Sequence, residues 1–164
     1  MDQQKFNELL KKINEAKARG GVDLSTEEDL SLAIMNLISL EEHFFFTGMK
    51  TGDSSYHDFL DEARSMRKEL LAKLIDRHEG ETWCVSKHLL GATMRLIEVG
   101  NKLHSEGKKD EAAKLFSYAY KLYALFWGLR LKLFNTEDVK KIAKENQAWT
   151  LEDIVAKLVD CCDE

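Results

Sequence analysis

The stretch that decides the fold runs from Ser25 to Lys50 and reads STEEDLSLAIMNLISLEEHFFFTGMK. It opens with a capping box, in which a Ser hydroxyl and a Glu three residues later satisfy the free amides at a helix start. Apolar side chains then recur at helical spacing as far as Lys50. The chain of 164 residues contains no proline, although average usage of about 5% would supply roughly eight. Because proline is excluded chiefly from helix interiors, we expect an all-α protein.

Apolar repeats and turn signals extend the helical pattern over the rest of the chain. The sequence predicts turns at 51–55 (TGDSS), 79–82 (EGET) and 107–110 (GKKD). Because short turns bring consecutive helices side by side, we expect two antiparallel helical hairpins packed as one bundle. The four long helices are predicted at 25–50, 55–78, 83–106 and 110–134.

Shorter helices are predicted at both ends of the chain. Apolar residues at helical spacing predict an amphipathic N-terminal helix that stops at Gly20-Gly21. Capping residues near Asn135 and Thr150 predict two short C-terminal helices. We expect a single helical domain over residues 1–164, made of an N-terminal arm (1–21), a bundle core (25–134) and C-terminal helices (135–164).

Charge and cysteine content narrow the expected partners and location. Asp and Glu outnumber Lys and Arg by 29 to 24, a formal net charge of −5, whereas proteins that track nucleic-acid phosphates usually carry a basic excess. Cys84 and the terminal pair Cys161 and Cys162 do not suggest a disulfide framework and favour a reducing cytoplasm. The sequence shows no apolar run typical of a membrane span or a signal peptide. We expect a cytoplasmic protein whose partners are neither nucleic acids nor membranes.

The second predicted hairpin has the residue spacing of a known helical repeat. Over 96–124 it resembles a single tetratricopeptide repeat, except that Leu96 and Ala124 replace the aromatic residue and the closing proline of that motif. Small residues in this pattern imply that two helices approach closely while Phe116 fills the gap. Residues 83–90, WCVSKHLL, also resemble small uncharacterised helical proteins of prokaryotes, which implies no particular function. The residues that carry the repeat spacing are Leu96, Val99, Gly100, Leu103, Gly107, Ala112, Phe116 and Ala119.

Two charged side chains are predicted to lie among apolar ones. At 100° per residue, Glu41 falls within the apolar arc of its helix, and Arg67 falls within that of the next helix. If the turn at 51–55 makes these helices antiparallel, Glu41 lies opposite Arg64 and about one turn from Arg67. We predict an ion pair, because an unpaired charge in the core is costly. The pair either fixes the register of the helices or forms the floor of a polar pocket.

Four further residues are candidates for binding. Arg130 shares its helix face with aromatic residues, and it either extends past them to water or lines a groove for an acidic ligand or a partner's carboxylate. Cys84 and His88 lie one turn apart, and Arg95 continues their stripe. With a third group from another helix, Cys84 and His88 could ligate a metal or form a thiolate–imidazolium pair. The alternative is a partly exposed polar stripe.

The motifs of the main helical enzymes are missing from the sequence. None of the histidines has a Glu three residues before it, as di-iron bundles require, and neither a His-Glu-x-x-His motif nor a phosphate-binding glycine loop occurs. We therefore expect no catalytic residue and no cofactor. The expected function is a non-enzymatic interaction or scaffold module, which holds a protein partner or a second copy of itself between helices 83–106 and 110–134 or on its terminal arms. The alternative is a bundle that binds a small ligand or a metal, with or without catalysis, in a polar pocket around Glu41, Arg67, Cys84 and His88.

Overall fold

A computed structural model describes residues 3–18, 24–76 and 80–133 of the chain. Across these ranges the chain consists of helices and turns without a strand, which confirms the predicted all-α class and helical bundle. The C-terminal helices predicted within 135–164 lie outside the described residues. The helices are α1 (Gln3–Ala18), α2 (Leu24–Thr51), α3 (Ser55–Leu74), α4 (Glu81–Ser105) and α5 (Lys109–Arg130).

Helix α3 ends at Leu74, before the predicted boundary at residue 78. Ile75 has an extended backbone, with φ −127° and ψ 131°, and its N–H donates to the Leu71 carbonyl at 2.9 Å. The Ile75 side chain lies in the core. A β-branched side chain is restricted in a helix and fits extended backbone well, so isoleucine suits the position at which the helix ends.

Helix α5 ends in a Schellman motif before the predicted boundary at residue 134. The N–H groups of Lys132 and Leu133 donate to the carbonyls of Leu129 and Gly128, at 3.0 and 2.9 Å respectively. Lys132 has a φ of 53°, in the left-handed region that glycine usually occupies. Because a lysine stands at this position, the residue pattern gives no sign that the helix stops.

The helices pack in pairs around one apolar core. Helix α2 packs on α3 and α4 packs on α5, while α2 also contacts α4 and α1 lies against α5. All five helices or their ends supply side chains to the core, and burying a large apolar side chain contributes about 1.5–3 kcal/mol. The buried core residues are Phe6, Leu9, Ile13, Ile34, Met35, Leu71, Leu74, Ile75, Leu90, Ala124, Phe126 and Trp127.

Small residues allow α4 and α5 to approach closely. A Cβ atom on Gly100 would lie only 2.5 Å from Cε1 of Phe116, so the ring occupies the space that a side chain would need. Ala112 and Ala119 on α5 are also buried. The contact expected between Gly100 and Phe116 is therefore present, and the tetratricopeptide resemblance stays a prediction.

Candidate functional site

The structure brings Glu41 of α2 together with both predicted arginines of α3. Arg67 donates from Nε and Nη2 to the two carboxylate oxygens of Glu41, at 2.8 and 3.2 Å. Arg64 donates from Nε to Oε2 of the same carboxylate at 3.3 Å. The side chain of Arg67 is 1% exposed and that of Arg64 is 40% exposed. Since both oxygens of Glu41 accept hydrogen bonds from α3, the cluster ties the two helices together.

A second polar cluster joins the beginning of α2 to α5. Arg130 donates from Nη2 to Oε1 of Glu27 at 2.6 Å, and both side chains are largely buried. One turn along α2, the Ser31 and Tyr123 hydroxyls share a hydrogen bond of 2.7 Å. Arg130 therefore contacts an acid of its own chain. Ser31 could not be predicted as part of this cluster, because a lone serine on an apolar helix face has many roles.

The stripe that contains Cys84, His88 and Arg95 lies on the side of α4 that meets α2. Gly91 belongs to the same side, and a Cβ atom there would lie 3.3 Å from Cγ2 of Ile38 on α2. Cys84 is buried and His88 is half-buried, whereas Arg95 is exposed. Within residues 3–18, 24–76 and 80–133, no group of three or more His, Cys, Asp or Glu side chains has the arrangement of a metal site.

The end of α2 exposes an apolar surface, the α2 tip, formed by Phe45, Phe46 and Met49. Helical residues 7 or 11 positions apart point in nearly the same direction. Phe45 thus continues the face of Ile38, and Phe46 continues that of Met35, both of which contribute to the core. Phe46 is 66% exposed and Met49 is 64% exposed. The face of α2 that meets the core in its first half therefore continues uncovered to its end.

A concavity with a volume of about 460 Å³, the α2–α4 concavity, adjoins the α2 tip. Arg95 is its lining residue from α4, and it donates to Ser39 at 3.1 Å and forms an ion pair with Glu42. Among the predicted site residues, Arg95 alone lines this concavity. The lining residues are Ser39, Glu42, His43, Phe46, Thr47, Lys50 and Arg95.

A second apolar surface lies where α2 meets α3. The rings of Phe44 and Phe59 are in contact, with their centroids 5.7 Å apart. Phe59 is 50% exposed, and Met66, two turns further along α3, is 45% exposed. Leu40 lies one turn before Phe44 on α2 and is also exposed. This surface is less exposed than the α2 tip and supplies matched positions for comparison with it.

One carboxylate near this end of the bundle has a shifted pKa. The Asp53 carboxylate, in the turn between α2 and α3, is hydrogen-bonded to Ser55, and its Oδ1 accepts from the Ser55 N–H at 2.9 Å. Hydrogen bonding by Ser55, chiefly through its side chain, lowers the pKa of Asp53 below its ordinary value of 3.8. The charged form of Asp53 thus supports the start of α3.

The α2 tip was not predicted, although the sequence contains a signal for it. Phe44, Phe45 and Phe46 are consecutive, so their side chains span about 200° of the helix circumference and cannot all face one neighbouring helix. At least one of them must then meet either another layer of helices or solvent. Lys50 was also missed, because a single lysine near a helix end is common.

Comparison with known proteins gives no match: no protein-family model, curated protein or solved structure is similar to this chain. Among the described helices, none combines the length and the apolar character needed to cross a bilayer.

Proposed function

We propose that this protein is a non-enzymatic protein-interaction module, built as two antiparallel helical hairpins, that binds its partner at the α2 tip. The observation that carries the proposal is the exposure of Phe46 and Met49, at 66% and 64%, on a helix face that is buried closer to the start of α2. Contiguous apolar surfaces on soluble proteins are often sites of interaction. The groove between α4 and α5 and the terminal arms, the two binding positions expected from the sequence, stay predictions.

The composition of the tip supports contact with a protein. Aromatic and methionine side chains are enriched at protein interfaces, because they bury a large area and adapt to the opposing surface. Covering Phe46 and Met49 contributes at most about 3–6 kcal/mol, from which the cost of association must be subtracted. The net charge of −5 and the three cysteines favour a cytoplasmic protein partner, or a second copy of this chain, over a nucleic acid.

Site-specific photo-crosslinking tests this surface in cells that contain the natural partners. A photoreactive phenylalanine analogue is placed at position 46 or 49, and in control variants at position 59 or 66, which are exposed to 50% and 45%. We expect one protein, or a second copy of the chain, to be crosslinked from positions 46 and 49 in clear excess over the controls. Equal crosslinking from all four positions would remove the α2 tip as the binding surface.

The crosslinked partner is then purified and titrated against two matched variants. Met49→Glu places a carboxylate in the apolar contact and should weaken binding by at least about tenfold, whereas Met66→Glu should change it less than about twofold. Equal effects of the two variants would contradict the proposal. A stoichiometric metal or metabolite, found by elemental analysis and intact mass of the purified protein, would replace it with the ligand-binding alternative around Glu41, Arg67, Cys84 and His88.

A further inference from the structure

We infer that the α2–α4 concavity binds a carboxylate, so that the segment docking on the α2 tip is acidic and carries apolar side chains beside its acidic residues. This inference rests on the proposed function, since Phe46 belongs both to the tip and to the lining of the concavity. A bound segment thus contacts apolar and charged groups at the same time. The charged groups are Lys50, Arg95 and Glu42.

Lys50 is one turn after Phe46 on α2, so the two side chains lie on the same side of the helix. Its side chain is exposed, and its ammonium group forms no ion pair or hydrogen bond with any residue of the described part of the chain. It is therefore available to an incoming anion. Desolvation by an apolar segment on Phe46 would strengthen that interaction, because charges attract more strongly where water is excluded.

Arg95 retains donors for a ligand even while it is paired. Its Nη2 group donates to Ser39 and to Glu42, and within residues 3–18, 24–76 and 80–133 its Nε and Nη1 groups have no acceptor. A guanidinium group has five N–H donors and often binds a carboxylate through two of them. Both edges that bind a carboxylate through two donors include Nη2, which is already engaged, so a second carboxylate would accept a single hydrogen bond from Nε or Nη1 while Arg95 keeps its bond to Glu42.

The charge balance of the concavity favours an acidic segment. Lys50 and Arg95 supply two positive charges against the single negative charge of Glu42, in a chain whose formal net charge is −5. A nucleic acid offers anionic groups too, but a polyanion would be repelled by the acidic chain as a whole. A short peptide needs only one or two carboxylates here, and its apolar side chains gain contact with Phe46 and Met49. The acidic peptide thus satisfies both parts of the surface.

Fluorescence anisotropy with a defined probe tests the inference. The probe is a short fluorescein-labelled peptide in which Glu alternates with Phe and Leu, and its control is the same peptide with Gln in place of Glu. We expect the Glu peptide to bind at least about fivefold more tightly than the Gln peptide at low salt, and this difference should shrink as salt is added. A labelled single-stranded oligonucleotide forms the third arm, and we expect it to bind more weakly than the Glu peptide.

Matched charge variants locate the binding site. Lys50→Glu and Arg95→Gln alter exposed side chains, so we expect both variants to fold, and each should weaken binding of the Glu peptide by about fivefold or more. Lys73→Glu makes the same charge change at an exposed position on α3 and should alter binding less than about twofold. Equal effects of Lys73→Glu and Lys50→Glu would overturn the inference.

Three other outcomes would also overturn the inference: equal binding of the Glu and Gln peptides, tighter binding of the oligonucleotide, or no binding of the Glu peptide at about 1 mM protein. The proposed function does not fail together with this inference. If Met49→Glu abolishes binding of both peptides while the Lys50 and Arg95 variants leave it unchanged, the α2 tip remains an interaction surface and only its preference for acidic segments is wrong.

Discussion

Replacing Glu41 by Ala tests whether a buried ion pair joins α2 to α3. The substitution leaves Arg67, whose side chain is 1% exposed, without the carboxylate that accepts hydrogen bonds from its Nε and Nη2 groups. Removing one partner of a buried pair typically costs about 3–5 kcal/mol, and because the Glu41 side chain is itself 13% exposed we expect the lower end, about 3 kcal/mol. Urea unfolding followed by far-UV circular dichroism measures this loss in the free energy of unfolding.

Arg64 provides the matched control, because it donates to the same carboxylate from a side chain that is 40% exposed. Arg64→Ala should cost less than about 1 kcal/mol, while Arg67→Ala should cost about 3 kcal/mol or more. The double variant Glu41→Leu with Arg67→Met should recover most of the loss, since it removes both charges from the core. A loss below about 0.5 kcal/mol for Glu41→Ala would equal that of an ordinary surface change and refute the reasoning. Equal losses for the two arginine variants would refute the role of burial.

Three further perturbations test other features of the bundle. Gly100→Ala should destabilise the protein by about 1–3 kcal/mol, because the new methyl group would lie 2.5 Å from the Phe116 ring, and Phe116→Leu in the same chain should restore part of this loss in urea unfolding. Lys132→Gly should raise the free energy of unfolding by about 0.5–1 kcal/mol, since it relieves a left-handed backbone at φ 53°, and an equal gain from the control Lys132→Ala would show that backbone strain is not the cause. The hydrogen bonds of Ser55 lower the pKa of Asp53, so the ionised carboxylate contributes to folding stability above the unfolded-state pKa, and this contribution is lost as the pH falls through the lower folded-state pKa. In thermal unfolding measured from neutral to acidic pH, the Asp53→Asn variant should therefore lose less stability than the parent protein. Parallel curves of stability against pH for the two proteins would contradict this expectation.

The beginnings of the four long helices lie within two residues of the predicted ones, because turn residues mark them locally. Helix α2 begins at Leu24, one residue before the predicted start at Ser25, so Ser25 lies inside the helix and is not its N-cap. The ends of α3 and α5 could not be predicted, since they depend on the rest of the fold. Ile75 leaves the helix and enters a core supplied by other helices, and Lys132 adopts a conformation for which its own sequence has no preference. Helix ends of this kind depend on packing as well as on the residues that form them.

The candidate site shows the same division between local and distant causes. Helical periodicity placed Glu41 and Arg67 on apolar faces, and in the structure the two side chains meet. Periodicity could not show how far α4 and α5 extend along α2. It therefore did not predict that Met35 is buried and Phe46 is exposed, although both residues lie on the same face of α2. It also placed Arg95 on a polar stripe without showing that Ser39 and Glu42 lie opposite it. Such contacts depend on residues more than fifty positions away in the chain.

Because every helix lends side chains to a common core, neither the α2–α3 pair nor the α4–α5 pair is a self-standing unit. A gene split after α3 would encode two fragments that each expose part of the apolar core. We expect each fragment to fold only when it associates with the other. If the two fragments reassemble, the bundle could serve as a fragment-complementation reporter, in which a signal arises only where both fragments are present.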